Sequence, residues 1–182
     1  MSRVSPEYVI LGLLEAQSCH GYQLLPHFRA KTHLGRIWRL SSSRIYTLLK
    51  QLERSELIDG REEDAEDAPM RTVYWLTDSG RERLYAWLNQ SQPDASTRNI
   101  RTEFLSRLYI AWVLDQPWQP IVDAQLQTCQ TRISQLELLM QDGEGGFGAL
   151  ALTLQIAEMR LIVEWLGTCD ATLRTTLDRS LK

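Results

Sequence analysis

The sequence predicts a mainly α-helical chain carrying one small two-stranded β wing. Three observations lead there: apolar residues recur at helical spacing over most of the length, the spacing switches once to alternation near residues 57–76, and capping residues precede the helical runs. With 182 residues, 43% of them apolar, the chain can bury a real core in one domain or two small ones. Its 20 Lys and Arg stand against 23 Asp and Glu, a net charge of -3. A surface for a polyanion must therefore come from local segregation of charge.

Ser5, Pro6 and Glu7 supply an N-cap, a first helical residue and a first-turn acid for a helix with Val9, Ile10, Leu13 and Leu14, ending near Cys19-His20-Gly21. A second helical segment follows with Tyr22, Leu24, Leu25 and Phe28, where Pro26 either kinks the helix or delays its start. The run Ser41-Ser42-Ser43 opens a third helix, whose Ile45, Leu48, Leu49 and Leu52 share one buried face. Leu57–Arg61 and Arg71–Leu76 read as two strands joined by the acidic stretch Glu62–Met70. Thr77-Asp78 caps a fourth helix with Leu84, Trp87 and Leu88, and the polar stretch Ser91–Thr97 is the expected linker. The chain thus divides into residues 1–90 and 98–182.

The second part is helical throughout. Ile100, Phe104, Leu108 and Trp112 recur every fourth residue until Pro117 and Pro120. Val122, Leu126, Cys129, Ile133, Leu136 and Met140 are spaced 4, 3, 4, 3, 4, the seam of a coiled-coil-like helix pair. After the glycine-rich loop Gly143–Gly148, a long helix carries two stripes: Leu150, Leu154, Ala157 and Leu161, and separately Leu152, Ile156, Met159, Val163 and Leu166. A helix apolar on two sides needs two partners, one of which a second copy of the chain can supply. Phe104, Leu108, Val122, Leu126, Ile133, Leu136, Met140, Leu154 and Leu161 are the candidate dimerisation residues. Leu173, Leu177 and Leu181 suggest a last short helix.

Helix, helix, helix and hairpin is the order of a winged helix-turn-helix, and charge placement supports it independently. From Arg29 to Arg54 seven bases stand against one acid, a local net charge of +6. Opposite the buried face of the third helix lie Ser43, Thr47, Lys50 and Arg54, flanked by Tyr46 and Gln51. Donors, acceptors and cations of this kind read base edges in a major groove and hold the phosphates beside it. Ser42, Ser43, Tyr46 and Thr47 are the candidate base readers. Lys50 and Arg54, with Arg61 and Arg71 at the roots of the wing, are the candidate phosphate contacts, and Arg39 and Arg44 are further candidate DNA-binding residues. From Glu56 to Asp67 seven acids and one arginine give -6, so the wing tip is expected to lift away from DNA. The alternative is a winged-helix protein–protein adaptor, with Lys50 to Arg54 and Trp75 facing an acidic or apolar partner.

Ile10-Leu11-Gly12-Leu13-Leu14, His20-Gly21-Tyr22, Trp38-Arg39-Leu40-Ser41, then Arg71 with Tyr74-Trp75-Leu76-Thr77 and Gly80, occur in an order that resembles the PadR family of bacterial transcriptional regulators. The resemblance covers about the first half of the chain. It implies a homodimeric repressor acting on a roughly palindromic double-stranded DNA operator, dimerised by its C-terminal half, with a small aromatic or otherwise hydrophobic effector where one exists. The chain departs from the family pattern in its acidic wing and in carrying Ser55-Glu56 where the family often has a glycine.

Other classes find little support. Cys19, Cys129 and Cys169 have no paired spacing for a disulfide framework or a zinc site. Gly21 and Pro26 interrupt the helix that would bring His20 and His27 to one face, so no metal or cofactor is expected. No catalytic or nucleotide-loop pattern appears, and the expectation is a protein that is not an enzyme. No run is apolar and long enough to span a membrane, and the chain reads as cytoplasmic. Among six tryptophans, Trp75, Trp112 and Trp165 are the candidates for lining an aromatic effector site.

Overall fold

The computed structural model describes residues 5–29, 33–65, 68–141 and 145–180. The elements are α1 (Glu7–Ala16), β1 (Cys19–His20), a 3-10 turn (Gly21–Leu24), α2 (Leu25–Arg29), a second 3-10 turn (His33–Arg36), α3 (Ser42–Arg54), β2 (Ile58–Ala65), β3 (Ala68–Leu76) and α4 (Asp78–Leu88). There follow α5 (Thr97–Asn99), a π turn (Ile100–Phe104), α6 (Leu105–Val113), α7 (Gln119–Gln141) and α8 (Phe147–Ser180).

Two compact units result: Met1–Asn89 with Arg101–Pro117, and Gln90–Ile100 with Trp118–Lys182. The sequence places residues 101–117 with the C-terminal part; the structure places them in the first unit. A helical period shows that a face is buried but not against what. Here Ile110 of α6 packs so closely on α1 that a Cβ at Gly12 would collide with it. The Trp38 indole donates to Ser106 Oγ at 2.8 Å, and buried Arg107 donates to the Leu88 carbonyl at 2.7 Å, satisfying an orphan acceptor at the end of α4.

The sheet has three antiparallel strands in the order β1-β3-β2, not the two that the sequence predicts. Cys19 pairs with Tyr74 and His20 with Val73. A two-residue strand is too short to show alternation, yet it partners the otherwise open edge of β3. The hairpin is also longer than predicted, running from Ile58 opposite Leu76 to Ala65 opposite Ala68. Most of the acidic stretch that the sequence predicts as a connection is therefore strand; Glu66 and Asp67 lie outside the described residues.

At the start of α1 the entrance residue is Pro6, and the expected Ser5 cap is not made: the buried Ser5 hydroxyl has no hydrogen-bond partner among the described residues. Pro26 delays α2 rather than kinking it, because the preceding turn is 3-10 and the proline falls in the first turn of the α-helix. Ser41 caps α3, its Oγ accepting from the Arg44 amide at 3.2 Å. At the other end of α3, Glu56 adopts a left-handed φ of 57°, its amide donates to Glu53 O and the Leu57 amide to Leu52 O, a complete Schellman motif. Thr77 Oγ1 accepts from the Gly80 amide at 3.0 Å and donates to Glu56 O at 2.7 Å, so the cap of α4 also fixes the exit from α3.

In the second unit α7 packs along α8, with Leu136, Leu152 and Ile156 forming one cluster. Of the predicted α7 seam, Val122, Cys129 and Leu136 are buried, Leu126 and Ile133 half-buried and Met140 exposed. Leu152, Ile156, Met159 and Leu166 of α8 are buried, whereas Leu150, Leu154 and Leu161 are each more than 60% exposed. The expected last short helix is not separate: α8 runs unbroken through Leu173 and Leu177 to Ser180. Leu181 and Gly143 lie outside the described residues. Among the described residues no helix is long and apolar enough to cross a membrane.

Candidate nucleic-acid interface

The exposed side of α3 is built by the apolar spacing of its other side. Ile45, Leu48, Leu49 and Leu52 are at most 2% exposed, which turns Ser43, Tyr46, Thr47, Lys50 and Arg54 outward. The Thr47 hydroxyl donates to the Ser43 carbonyl at 2.8 Å, so toward solvent it offers acceptor lone pairs and a methyl group. That combination suits a base amino donor or a thymine methyl. Ser42 is half-buried and its Oγ accepts from Arg29 Nη2 at 3.1 Å, a bond that occupies part of its hydrogen-bonding capacity.

Cations ring this face. Arg39, Arg44, Lys50 and Arg54 are exposed. Arg39 lines an open groove of about 690 Å³ together with Arg29, Arg36, Phe28, Leu40 and Ser41, beside the start of α3. Arg29 and Arg36 belong to the basic run read in the sequence, but spacing alone does not aim them at this groove. Arg61 lies on β2 opposite Val73, and Arg71 on β3 opposite Glu63; both are exposed. Behind them, burial pushes the Tyr74 phenol above its ordinary range, with a hydrogen bond to Thr72 pulling the other way.

The turn before α2 explains a sequence motif that spacing does not. A Cβ on Gly21 would lie 2.8 Å from Tyr46 Cε1 and 2.9 Å from Leu49 Cδ1, so only glycine lets this turn approach α3 so closely. The neighbouring Tyr22 is 44% exposed, and its ring lies 5.5 Å from the Arg71 guanidinium.

Trp75 and Trp112 are half-buried on β3 and α6, Trp112 tilted against Tyr109 at 5.6 Å, and Trp165 is 40% exposed on α8. Tyr109 OH lies 3.3 Å from His27 Nδ1. Burial raises the Tyr109 phenol and lowers the His27 imidazole, favouring the neutral form of each. Among the described residues no group of three His, Cys, Asp or Glu could hold a metal.

Residues 10–86 match the model of the transcriptional regulator PadR-like family. The chain is also 33% identical over 172 residues to the negative transcriptional regulator PadR of Bacillus subtilis (strain 168), across 88% of this chain and 92% of the relative. The chain belongs to the PadR-like family of transcriptional regulators. Solved structures similar to this PadR-like chain include Bacillus subtilis PadR in complex with operator DNA, at 28% identity over 91% of this chain and 96% of that one with a TM-score of 0.45. Another is Bacillus subtilis PadR in complex with p-coumaric acid, at 26% identity over 93% and 95% with a TM-score of 0.42. The PadR-like match of residues 10–86 contains α3 and the whole sheet.

Proposed function

We propose that this PadR-like regulator is a repressor that binds a roughly palindromic DNA operator as a homodimer, α3 of each protomer entering one major groove. The observation that carries the reading is the outward face of α3, where Ser43, Tyr46, Thr47, Lys50 and Arg54 are all exposed and contain no aliphatic side chain. Ser43, Tyr46 and Thr47 read bases, with half-buried Ser42 orienting Arg29 at the helix start. Lys50, Arg54, Arg39, Arg44, Arg61 and Arg71 hold phosphates. The 33% identity to a negative regulator supports repression.

Dimerisation belongs to the second unit. Phe104 and Leu108, expected at the interface, are 1% and 6% exposed within the protomer and offer a second copy nothing. Val122 and Leu136 are likewise covered, and Leu126 and Ile133 half-covered, which leaves, of the expected residues, Met140, Leu154 and Leu161 exposed for the partner. An aromatic or hydrophobic effector, as family membership implies, would act near Trp75, Trp112 or Trp165.

A mobility-shift titration on the DNA upstream of the protein's own coding region, followed by footprinting, tests this reading. Two protected patches about 10–10.5 base pairs apart, lost steeply as salt rises, are expected. No shift at low salt removes it in favour of the adaptor alternative.

A further inference from the structure

The His20-Gly21-Tyr22 turn carries more than packing. Arg71 Nη1 donates to the Tyr22 hydroxyl oxygen at 3.5 Å while its guanidinium lies 5.5 Å from the centre of the Tyr22 ring. On the same ring stacks His20, with centroids 5.5 Å apart and planes 11° from parallel. The imidazole is itself fixed: its Nδ1 lies 3.2 Å from the Thr72 carbonyl, which only accepts, so Nδ1 carries the proton. The His20 amide donates to Gln23 Oε1 at 2.8 Å, closing the turn. Gly21 presses that turn onto Tyr46 and Leu49 of α3. Sheet, turn and recognition helix are therefore locked together at this point.

We propose that Tyr22 and Arg71 form one binding site for a backbone phosphate of duplex DNA, with His20 as the positioning residue that fixes the Tyr22 ring. This rests on the reading that α3 enters the major groove. With its oxygen accepting from Arg71, the Tyr22 hydroxyl is left with its proton to give, and the guanidinium keeps further N–H groups for a second acceptor. The site thus offers donors and a positive charge, which matches the acceptor oxygens of a phosphodiester. Glu63 stands opposite Arg71 across the ladder, yet among the described residues the guanidinium makes no ion pair with that carboxylate and reaches Tyr22 instead. Holding the long arginine side chain against an aromatic face also reduces the freedom it loses when DNA arrives. Gly21 lies against Tyr46 and Leu49, so the site stands beside the exposed face of α3, where the strand bordering the groove would run.

The test is DNA affinity against salt for the full chain, using the upstream duplex and an unrelated duplex of equal length. Arg71→Ala should weaken both duplexes about tenfold and reduce the salt slope by about 0.9. Tyr22→Phe, which keeps the ring, should lose only the hydroxyl contribution, roughly threefold, without changing the slope. Tyr22→Ala should approach Arg71→Ala, and the double variant Tyr22→Ala/Arg71→Ala should be no weaker than Arg71→Ala alone. His20→Ala should weaken the unmodified chain but have little effect once Tyr22 is alanine. Strictly multiplicative effects of Tyr22→Ala and Arg71→Ala, or unchanged binding by Tyr22→Phe and Tyr22→Ala, would overturn the proposal. Lys50→Ala separates the two levels: if it weakens binding while the Tyr22 and Arg71 variants do not, this site alone fails. If none of them weakens binding, the α3 reading fails with it.

Discussion

At the residue scale, Glu56 shows how a departure from a family pattern becomes physical. A left-handed φ of 57° at the end of α3 is where glycine carries no Cβ penalty, and this chain places a glutamate there. The full Schellman bonding holds it in that conformation. Glu56→Gly should therefore stabilise the fold by about 1 kcal/mol, seen as a higher urea midpoint at unchanged slope. A lower midpoint would mean that the glutamate side chain contributes more than its backbone costs. The same residue removes one acid from beside the basic helix, so DNA affinity should not fall in the variant.

At the element scale, helix faces were legible in the sequence and their partners were not. The α3 face could be read from Ile45, Leu48, Leu49 and Leu52 because a period of 3.6 on a short helix defines a single direction. Its cap at Ser41 was legible from residue type. By contrast, Phe104 and Leu108 announce a buried stripe without saying that it is buried in the first unit, and Cys19-His20 is too short to announce a strand. Tyr22 stood in a legible motif, but its contact with Arg71 spans residues 49 apart, a separation that no local pattern encodes.

Asp170 illustrates a long-range tie of the same kind inside the second unit. It accepts from Arg174 Nε at 2.9 Å and from Trp118 Nε1 at 3.0 Å, and those bonds hold its carboxyl below the usual carboxylate range. A carboxyl depressed in the folded state adds stability that is fully present above its ordinary value of about 3.9 and is lost as pH falls through the lower folded value. The urea midpoint should therefore decline on acidification below that range, and Asp170→Asn should remove part of the decline. An identical acid profile for the two proteins would show that the two bonds do not survive in solution.

For the whole molecule, the net charge of -3 hides two opposed regions that cancel, +6 from Arg29 to Arg54 and -6 from Glu56 to Asp67. The basic run surrounds the exposed face of α3, so the net figure understates what a nearby polyanion meets. The apolar surface is divided as well. Leu154 and Leu161 are 61% and 66% exposed on α8, and large aliphatic side chains repeated on one helix face call for a partner. Leu154→Asp together with Leu161→Asp should convert a dimer to a monomer in sedimentation equilibrium while leaving the helical signal intact, since neither side chain supports the protomer core. A dimer that persists at micromolar concentration would move the interface elsewhere.

Whether α3 reads DNA sequence is decided by affinity measured across a set of single-base operator variants. Lys50→Ala should weaken every duplex by a similar factor, whereas Ser43→Ala and Thr47→Ala should change the ranking among duplexes by about 1–3 kcal/mol at particular positions. If all three substitutions lower affinity uniformly and leave the ranking as it was, α3 does not carry the readout.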